Sequence, residues 1–205
     1  MATAAASGDM ATAAASGDMA SAAGSGNLGG VGLVVLTGLP GAGKSTLARA
    51  LGSRLADARV LDKDVVRDAL FGPCDYTATE SQVSVSAMLD AARYHLGRGR
   101  TVIFDGMTFA RRQYLEAVAT LGEEVDVGVA VIVCDVPLDV AISRVTDGTG
   151  HVATNRDADM VRRVAEEMEE PGGDYLTLDT TAPVHECVVL ALAYVRQTSG
   201  DADTQ

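Results

Sequence analysis

Tryptophan is absent from this 205-residue sequence, and aromatic residues make up only 4% of it. Hydrophobic residues nevertheless account for 47% of the chain, so the core must be almost entirely aliphatic. A core of Val, Leu, Ala and Ile is typical of buried parallel strands covered by helices on both faces. The length corresponds to one domain with appendages.

Long apolar runs are also absent. No segment approaches the roughly 18 apolar residues of a membrane span, and the N-terminus lacks a basic region followed by a hydrophobic one. The three cysteines, Cys74, Cys134 and Cys187, form no CxxC pair, which argues against a disulfide scaffold or a thiolate metal site. These absences predict a soluble, cytoplasmic protein with reduced thiols and no membrane partner.

Basic residues are scarce, with 16 Lys and Arg against 28 Asp and Glu and a net charge of −12. Residues 1–27 hold two of the acids and none of the bases, so the rest of the chain still carries −10. Because Lys and Arg contacts to phosphates supply most non-specific affinity for nucleic acid, this balance argues against a nucleic-acid partner. A local basic pocket for a small anion remains compatible with it.

The N-terminus is a repeat with a period of nine residues. Residues 1–9 and 10–18 are identical, and residues 19–27 are a near copy. Such Ala-, Ser- and Gly-rich units have nothing to bury, so we expect a disordered low-complexity tail. The predicted organisation is a tail over residues 1–27, a folded domain over 28–197 and a flexible C-terminal tail over 198–205.

A glycine-rich motif is the strongest functional signal. It fits G-x-x-x-x-G-K-[ST], follows the apolar segment 31–37 and precedes a predicted helix over 46–56. Loop N–H groups and the helix start create an anion site, Lys44 can reach terminal phosphates, and the Ser45 hydroxyl can ligate Mg²⁺. We therefore predict an ATP-binding segment made of Gly38, Leu39, Pro40, Gly41, Ala42, Gly43, Lys44, Ser45 and Thr46.

The rest of the pattern alternates short apolar runs with helical stretches. It predicts strands over 31–37, 59–61, 101–104, 125–134 and 175–178, and helices over 46–56, 65–71, 80–97, 111–121, 137–145, 157–169 and 183–196. Five strands alternating with helices predict an α/β protein of the P-loop NTPase fold, with a five-stranded parallel sheet, helices on both faces and a small lid. Ligands in this architecture bind at the carboxyl ends of the strands.

The second predicted strand ends at two acids. Asp62 and Asp64 follow it, and Arg67 lies one helical turn after Asp64, so the carboxylate and the guanidinium can share one side. Asp64 is the candidate for the base that accepts the proton of an attacking hydroxyl. Asp62 and Arg67 are candidates for binding the acceptor molecule. The alternative is structural: Asp64 caps the helix over 65–71 and Asp62 is a solvated turn residue.

The third predicted strand ends at Asp105. An acid there can hold Mg²⁺ through water or orient the acceptor, and a helix-capping role is the alternative. Arg111, one turn later, is a candidate for the acceptor side. Arg144 lies at the end of the predicted helix over 137–145, before the polar gap 148–155, where a lid could begin. Lids exclude water and bring arginines onto the transferring phosphoryl group, so Arg144 and Arg156 are the lid candidates.

The order of these features resembles the small P-loop kinases that include 5′ polynucleotide kinase domains, chloramphenicol phosphotransferase and predicted kinases of the AAA_33 type. The resemblance covers about residues 31–197. It is carried by residues 38–46, by Asp64-Val65-Val66-Arg67, by residues 99–106, by Arg111-Arg112 and by residues 137–144. It implies ATP and Mg²⁺ at Lys44 and Ser45, activation of an acceptor hydroxyl by Asp64, and an acceptor contact from Arg67.

Two departures shape the choice of acceptor. Gly148 stands where polynucleotide kinases of this group carry a second lid arginine, and Asp105-Gly106-Met107-Thr108 differs from their Asp-x-x-Asn. The run from Asp62 to Arg67 also resembles the Asp-Gly-Asp-x-x-Arg of adenylylsulfate kinases, with Lys63 in place of the glycine. The leading hypothesis is an ATP-dependent kinase of a small-molecule hydroxyl, in a sugar, nucleoside or antibiotic-like natural product. A polynucleotide or adenylylsulfate kinase is second, and a non-catalytic nucleotide-binding switch third.

Overall fold

The computed structural model describes residues 31–106, 111–148 and 157–198. Its elements follow one another as strand–helix units. The strands are β1 (Val31–Thr37), β2 (Arg59–Asp62), β3 (Val102–Asp105), β4 (Gly128–Asp135) and β5 (Leu176–Asp179). The helices are α1 (Lys44–Gly52), α2 (Lys63–Phe71), α3 (Ala78–Leu96), α4 (Arg112–Val125), α5 (Leu138–Asp147), α6 (Ala158–Glu167) and α7 (Val184–Thr198).

All five strands pair in parallel, in the order β2-β3-β1-β4-β5. The predicted P-loop NTPase fold, an α/β architecture with a five-stranded parallel sheet, is therefore confirmed. In this sheet order β1 lies at the centre, between β3 and β4. The carboxyl ends of β1, β2 and β3 consequently meet at one edge of the sheet, which we call the rim.

The core has two layers, one on each face of the sheet. Successive residues of β1 point to opposite layers. Val34 and Leu36 pack on the side of α1, α5 and α7, whereas Leu33 and Val35 pack on the side of α3 and α4. All four side chains are fully buried. A central strand with both faces covered reads as a continuous apolar run, which is why residues 31–37 were recognisable from the sequence.

Several predicted boundaries were wrong by a few residues. Helix α4 runs on to Val125, because Glu123 and Glu124 continue the helix and Asp126 ends it in a left-handed conformation with φ of 54°. Strand β4 therefore begins only at Gly128. Helix α5 extends beyond Arg144 to Asp147, so Arg144 lies inside the helix and not at its end.

Within the described residues, no helix combines the length and apolar character of a membrane span. The predicted tails over 1–27 and 198–205 lie outside the described residues apart from Thr198, as does nearly all of the gap 148–155.

Candidate active site

The loop between β1 and α1 is packed directly against neighbouring backbone. Gly38 has φ of 133° and Gly41 has φ of 81°, conformations that disfavour any side chain. A Cβ on Gly38 would lie 2.3 Å from the carbonyl oxygen of Cys134, and a Cβ on Gly41 would lie 2.3 Å from that of Ala141. The loop is therefore wedged between β4 and α5, which sets its curvature before any ligand binds.

Lys44 forms hydrogen bonds through its side chain with the backbone of the loop. It is the first residue of α1 and only 6% exposed. Its Nζ donates hydrogen bonds to the carbonyl oxygens of Gly38, at 2.9 Å, and Leu39, at 2.7 Å. The ammonium group thus spans the concave side of the loop, where the sequence predicts that phosphates bind. Helix α1 starts two residues earlier than predicted, because the left-handed turn at Gly43 delivers the chain straight into it.

Asp105 is a buried acid at the end of β3. It is 2% exposed, and the Ser45 hydroxyl forms a hydrogen bond with its side chain. Burial raises the pKa of the Asp105 carboxyl, and the nearby carboxylates of Asp62 and Asp64 raise it further, while Ser45 and Lys44 oppose the shift. Its Oδ1 atom has no hydrogen-bond partner among the described residues. The Asp105 carboxyl group therefore places an unpartnered oxygen near the Ser45 hydroxyl.

This pair fits a magnesium ion. Mg²⁺ takes oxygen ligands and usually combines one or two protein groups with phosphate oxygens and water. The unpartnered Asp105 oxygen and the Ser45 hydroxyl supply such groups, and the described residues contain no cluster of three His, Cys, Asp or Glu that would make an all-protein cage. Ser45 and Asp105 are the residues that would hold the ion, directly or through water. When bound, the ion neutralises charge on the phosphates.

Asp62 caps helix α2, and this corrects the structural alternative considered for Asp64. The Oδ1 atom of Asp62 accepts hydrogen bonds from the backbone N–H groups of Asp64, at 2.8 Å, and Val65, at 3.4 Å. The helix consequently begins at Lys63 rather than at Val65. Asp64 is therefore in the first turn of the helix and is not its cap.

Asp64 and Arg67 lie side by side, as their spacing predicts. Nη1 of Arg67 is 3.7 Å from Oδ1 of Asp64, and the two side chains are 6% and 16% exposed. Arg67 also donates a hydrogen bond to the Ser81 hydroxyl on α3, and its guanidinium carbon lies 5.4 Å from the centre of the Tyr76 ring. Sequence reasoning missed Ser81 and Tyr76, although the capping pattern Thr77-x-x-Glu80 marks where α3 begins beside them.

Arg144 contacts the loop. It donates from Nη1 to the carbonyl oxygen of Gly41, at 3.3 Å, and from Nη2 to that of Thr180, at 3.0 Å. This guanidinium therefore links the glycine-rich loop to the segment that follows β5. Sequence reasoning also missed Thr180, since a short polar turn after a strand carries no recognisable signal.

The other predicted arginines are placed differently. Arg111 forms an ion pair with Glu167 at the end of α6, and both side chains are at least half exposed. The adjacent backbone N–H of Arg112 donates to Oε2 of Glu169, at 2.8 Å. The start of α4 is thereby tied to the end of α6. Arg156, the second lid candidate, lies outside the described residues.

Comparison with known proteins identifies related chains. The model of the AAA_33 family, described as an AAA domain, matches residues 33–171. An adenylyl-sulfate kinase of Paraburkholderia xenovorans is 30% identical over 80% of this chain and 92% of its own length. One of Myxococcus xanthus is 37% identical over 55% of this chain and 62% of its own. A crystal structure of a gluconokinase from Sinorhizobium meliloti superposes with a TM-score of 0.60 at 20% identity, covering 82% and 92% of the two chains.

Proposed function

Because this chain belongs to the AAA_33 family and is a small P-loop kinase by fold, we propose that it transfers the γ-phosphate of ATP to a hydroxyl of a small molecule. In this proposal Gly38, Gly41, Gly43 and the neighbouring loop residues bind ATP, and Ser45 and Asp105 hold Mg²⁺. Asp62, Asp64, Arg67, Asp105 and Arg111 form the acceptor side, and Arg144 and Arg156 serve the lid. The proposed acceptor is a sugar, a nucleoside or a natural product such as an antibiotic.

The observation that carries the proposal is the position of the Asp64–Arg67 pair. Both side chains are largely shielded from solvent at the end of β2, one strand beyond Asp105 and two beyond the loop. A nucleotide-binding switch needs the loop and the metal ligands, but it has no need of a shielded acid beside an arginine. A phosphotransferase needs both, to accept a proton and to orient the acceptor.

The proposed chemistry follows from these positions. As the acceptor oxygen bonds to the γ-phosphorus, its proton passes to the carboxylate of Asp64. The bond between the γ-phosphorus and the oxygen bridging to the β-phosphate breaks, and ADP leaves with that oxygen. Lys44 and the loop N–H groups stabilise the charge on the phosphates, which is the main contribution a protein makes to this reaction.

Adenylyl sulfate is the second acceptor we consider, and one finding favours it. Relatives named adenylyl-sulfate kinases match this chain at 30% and 37% identity. The sequence between Asp62 and Arg67 resembles their motif, although Lys63 replaces its glycine. Adenylyl sulfate also offers a ribose hydroxyl, so the roles of Asp64 and Arg67 are the same under either acceptor.

The test is a transfer assay with γ-labelled ATP and Mg²⁺ over a panel of acceptors. The panel contains adenylyl sulfate, gluconate, nucleosides, aminoglycoside and phenicol antibiotics, and an oligonucleotide with a free 5′ hydroxyl. We expect label on one small molecule, and we expect Asp64→Asn to lower kcat by about 10²–10⁴-fold, the usual contribution of a general base. Binding of ATP to this variant, measured by calorimetry, should change by less than about threefold.

Asp68→Asn is the matched control, since Asp68 is an exposed acid one turn further along α2. It should retain wild-type transfer. Full transfer by Asp64→Asn would exclude Asp64 as the base. Tight Mg²⁺-dependent ATP binding without transfer to any panel member would instead support the nucleotide-binding switch.

A further inference from the structure

The segment between α2 and α3 is held by one carboxylate. Oε1 of Glu80 accepts a hydrogen bond from the backbone N–H of Asp75, at 3.0 Å, and Oε2 accepts one from that of Thr77, at 3.2 Å. The N–H of Tyr76 also hydrogen-bonds to this carboxylate, and together these bonds hold the pKa of Glu80 below its ordinary value. We call this arrangement of Glu80 with three consecutive N–H groups the clasp.

The clasp holds Tyr76 in an unfavourable backbone conformation. Its φ is 57°, in the left-handed region that bulky side chains rarely adopt. Such a conformation persists only where the surrounding contacts over-determine it, and it occurs preferentially at functional sites. The three hydrogen bonds to the buried Glu80 carboxylate are such contacts. Rotating Tyr76 out of the left-handed region would turn the N–H donors away from Glu80.

The conformation sets the tyrosine ring against Arg67, whose guanidinium carbon lies 5.4 Å from the ring centre. Arg67 also contacts the Ser81 hydroxyl and the carboxylate of Asp64, so three side chains surround its guanidinium group. Arg67 is buried, and its Nε has no hydrogen-bond partner among the described residues. A buried guanidinium donor without a partner is costly unless a ligand completes it.

We propose that Glu80 is a positioning residue for the acceptor: through the clasp and Tyr76 it fixes Arg67 so that Nε is directed to an acceptor oxygen. The proposal rests on the proposed function only for the identity of the ligand. Glu80 itself contacts no substrate and acts through the backbone of residues 75–77. The position of Arg67 itself can be measured without any acceptor.

The chain offers a closely matched control. Thr77→Ala removes the hydroxyl that accepts from the Glu80 N–H at 3.1 Å, which weakens the start of α3 but leaves the clasp in place. Glu80→Gln keeps the N-cap and weakens the clasp by removing its charge. Tyr76→Gly removes the ring and also relieves the left-handed conformation. Tyr76→Phe keeps the ring and removes only the hydroxyl.

The first readout is the ¹⁵N–¹H signal of the Arg67 Nε group by NMR, assigned by its loss in Arg67→Lys. We expect a sharp, slowly exchanging signal in the wild type, in Thr77→Ala and in Tyr76→Phe. We expect broadening or rapid exchange in Glu80→Gln and Tyr76→Gly. Tyr76→Gly should broaden the Arg67 signal without lowering Tm, because the substitution relieves backbone strain. If Tyr76 had only a structural role, the loss of order at Arg67 would instead be accompanied by a lower Tm.

The second readout is steady-state kinetics with the best acceptor of the panel. Glu80→Gln should raise the acceptor KM by about tenfold, the effect of losing one charge-assisted contact, with the KM for ATP changed less than about twofold. Thr77→Ala should leave both constants near wild type although its Tm falls. An unchanged Arg67 signal in both Glu80→Gln and Tyr76→Gly would overturn the proposal, whatever the acceptor panel shows. Failure of transfer with the expected NMR changes would overturn the kinase assignment alone.

Discussion

Burial governs the behaviour of Asp105. An ionised carboxylate that is 2% exposed loses most of its hydration, which raises its pKa and makes the charged form costly in the absence of a cation. The same cost would favour a bound divalent cation, because the cation compensates the charge. The acid that helps to build the site is therefore expected to weaken the fold.

Asp105→Asn tests this opposition. We expect the ligand-free variant to be more stable, with Tm raised by about 2–4 °C, which corresponds to about 1 kcal/mol for a chain of this size. Its affinity for ATP in the presence of Mg²⁺ should fall by at least about tenfold, or 1.4 kcal/mol. Thermal unfolding and calorimetry with and without Mg²⁺ measure the two effects.

Asp135→Asn provides the control for that experiment. Asp135 ends β4 on the same edge of the sheet, but it is exposed. Neither Tm nor ATP affinity should change in this variant. Unchanged Mg²⁺-dependent affinity in Asp105→Asn would exclude Asp105 from the metal site.

The candidate site residues were predictable from the sequence where they belong to a motif or end a strand of a parallel sheet. The loop, Lys44, Ser45 and the acids at the ends of β2 and β3 follow from a motif and from strand ends in a parallel sheet. The contacts of Tyr76 with Arg67 and of Thr180 with Arg144 were not predictable, because they depend on a left-handed backbone conformation and on a carbonyl distant in sequence. The ion pair of Arg111 with Glu167 joins residues 56 positions apart, which no local pattern encodes.

At the scale of elements, the contact between the glycine-rich loop and α5 decides how the nucleotide site is shaped. Gly41→Ala would place a methyl group 2.3 Å from the carbonyl oxygen of Ala141, in a residue with φ of 81°. We expect a loss of about 2–4 kcal/mol in the free energy of unfolding, from backbone strain and displacement of α5. Urea denaturation of the ligand-free protein measures it.

Gly43→Ala separates the two causes. Gly43 has φ of 80°, nearly the same as Gly41, but the nearest atom to its Cβ position is 3.9 Å away. This variant should lose only the strain contribution, about 1 kcal/mol. Equal losses in the two variants would show that the close approach to α5 contributes nothing to stability.

Element types were predicted more reliably than their ends. All five strands and seven helices occur where the alternation of apolar runs and helical stretches indicates. The shifts at α1, α2 and α4 each have a local cause in a cap: the turn at Gly43, the carboxylate of Asp62 and the left-handed Asp126. Caps are single residues with several competing conformations, so a periodic pattern cannot locate them to better than a few positions.

At the scale of the whole molecule, charge distinguishes the proposed acceptor classes. The net charge of −12 opposes approach of a polyanion. Arg67 and Arg111 are paired with the acids Asp64 and Glu167, which reduces the positive charge that they present to nucleic acid. A labelled single-stranded oligonucleotide should bind more weakly than about 100 µM at physiological salt in an anisotropy titration. Tighter binding that weakens steeply with added salt would favour the polynucleotide kinase.

The state of Lys44 has a consequence for which nucleotides the protein accepts. Its ammonium group already satisfies two carbonyl oxygens of its own loop, so nucleotide binding is an exchange of partners and not the filling of a vacant charge. A phosphate oxygen that takes over one of these hydrogen bonds leaves a loop carbonyl without its donor, so the gain at Lys44 is partly offset. A nucleoside monophosphate, whose single phosphate carries fewer anionic oxygens to compete for Lys44, is at a disadvantage in that exchange. We therefore expect the loop to bind nucleoside triphosphates in preference to monophosphates.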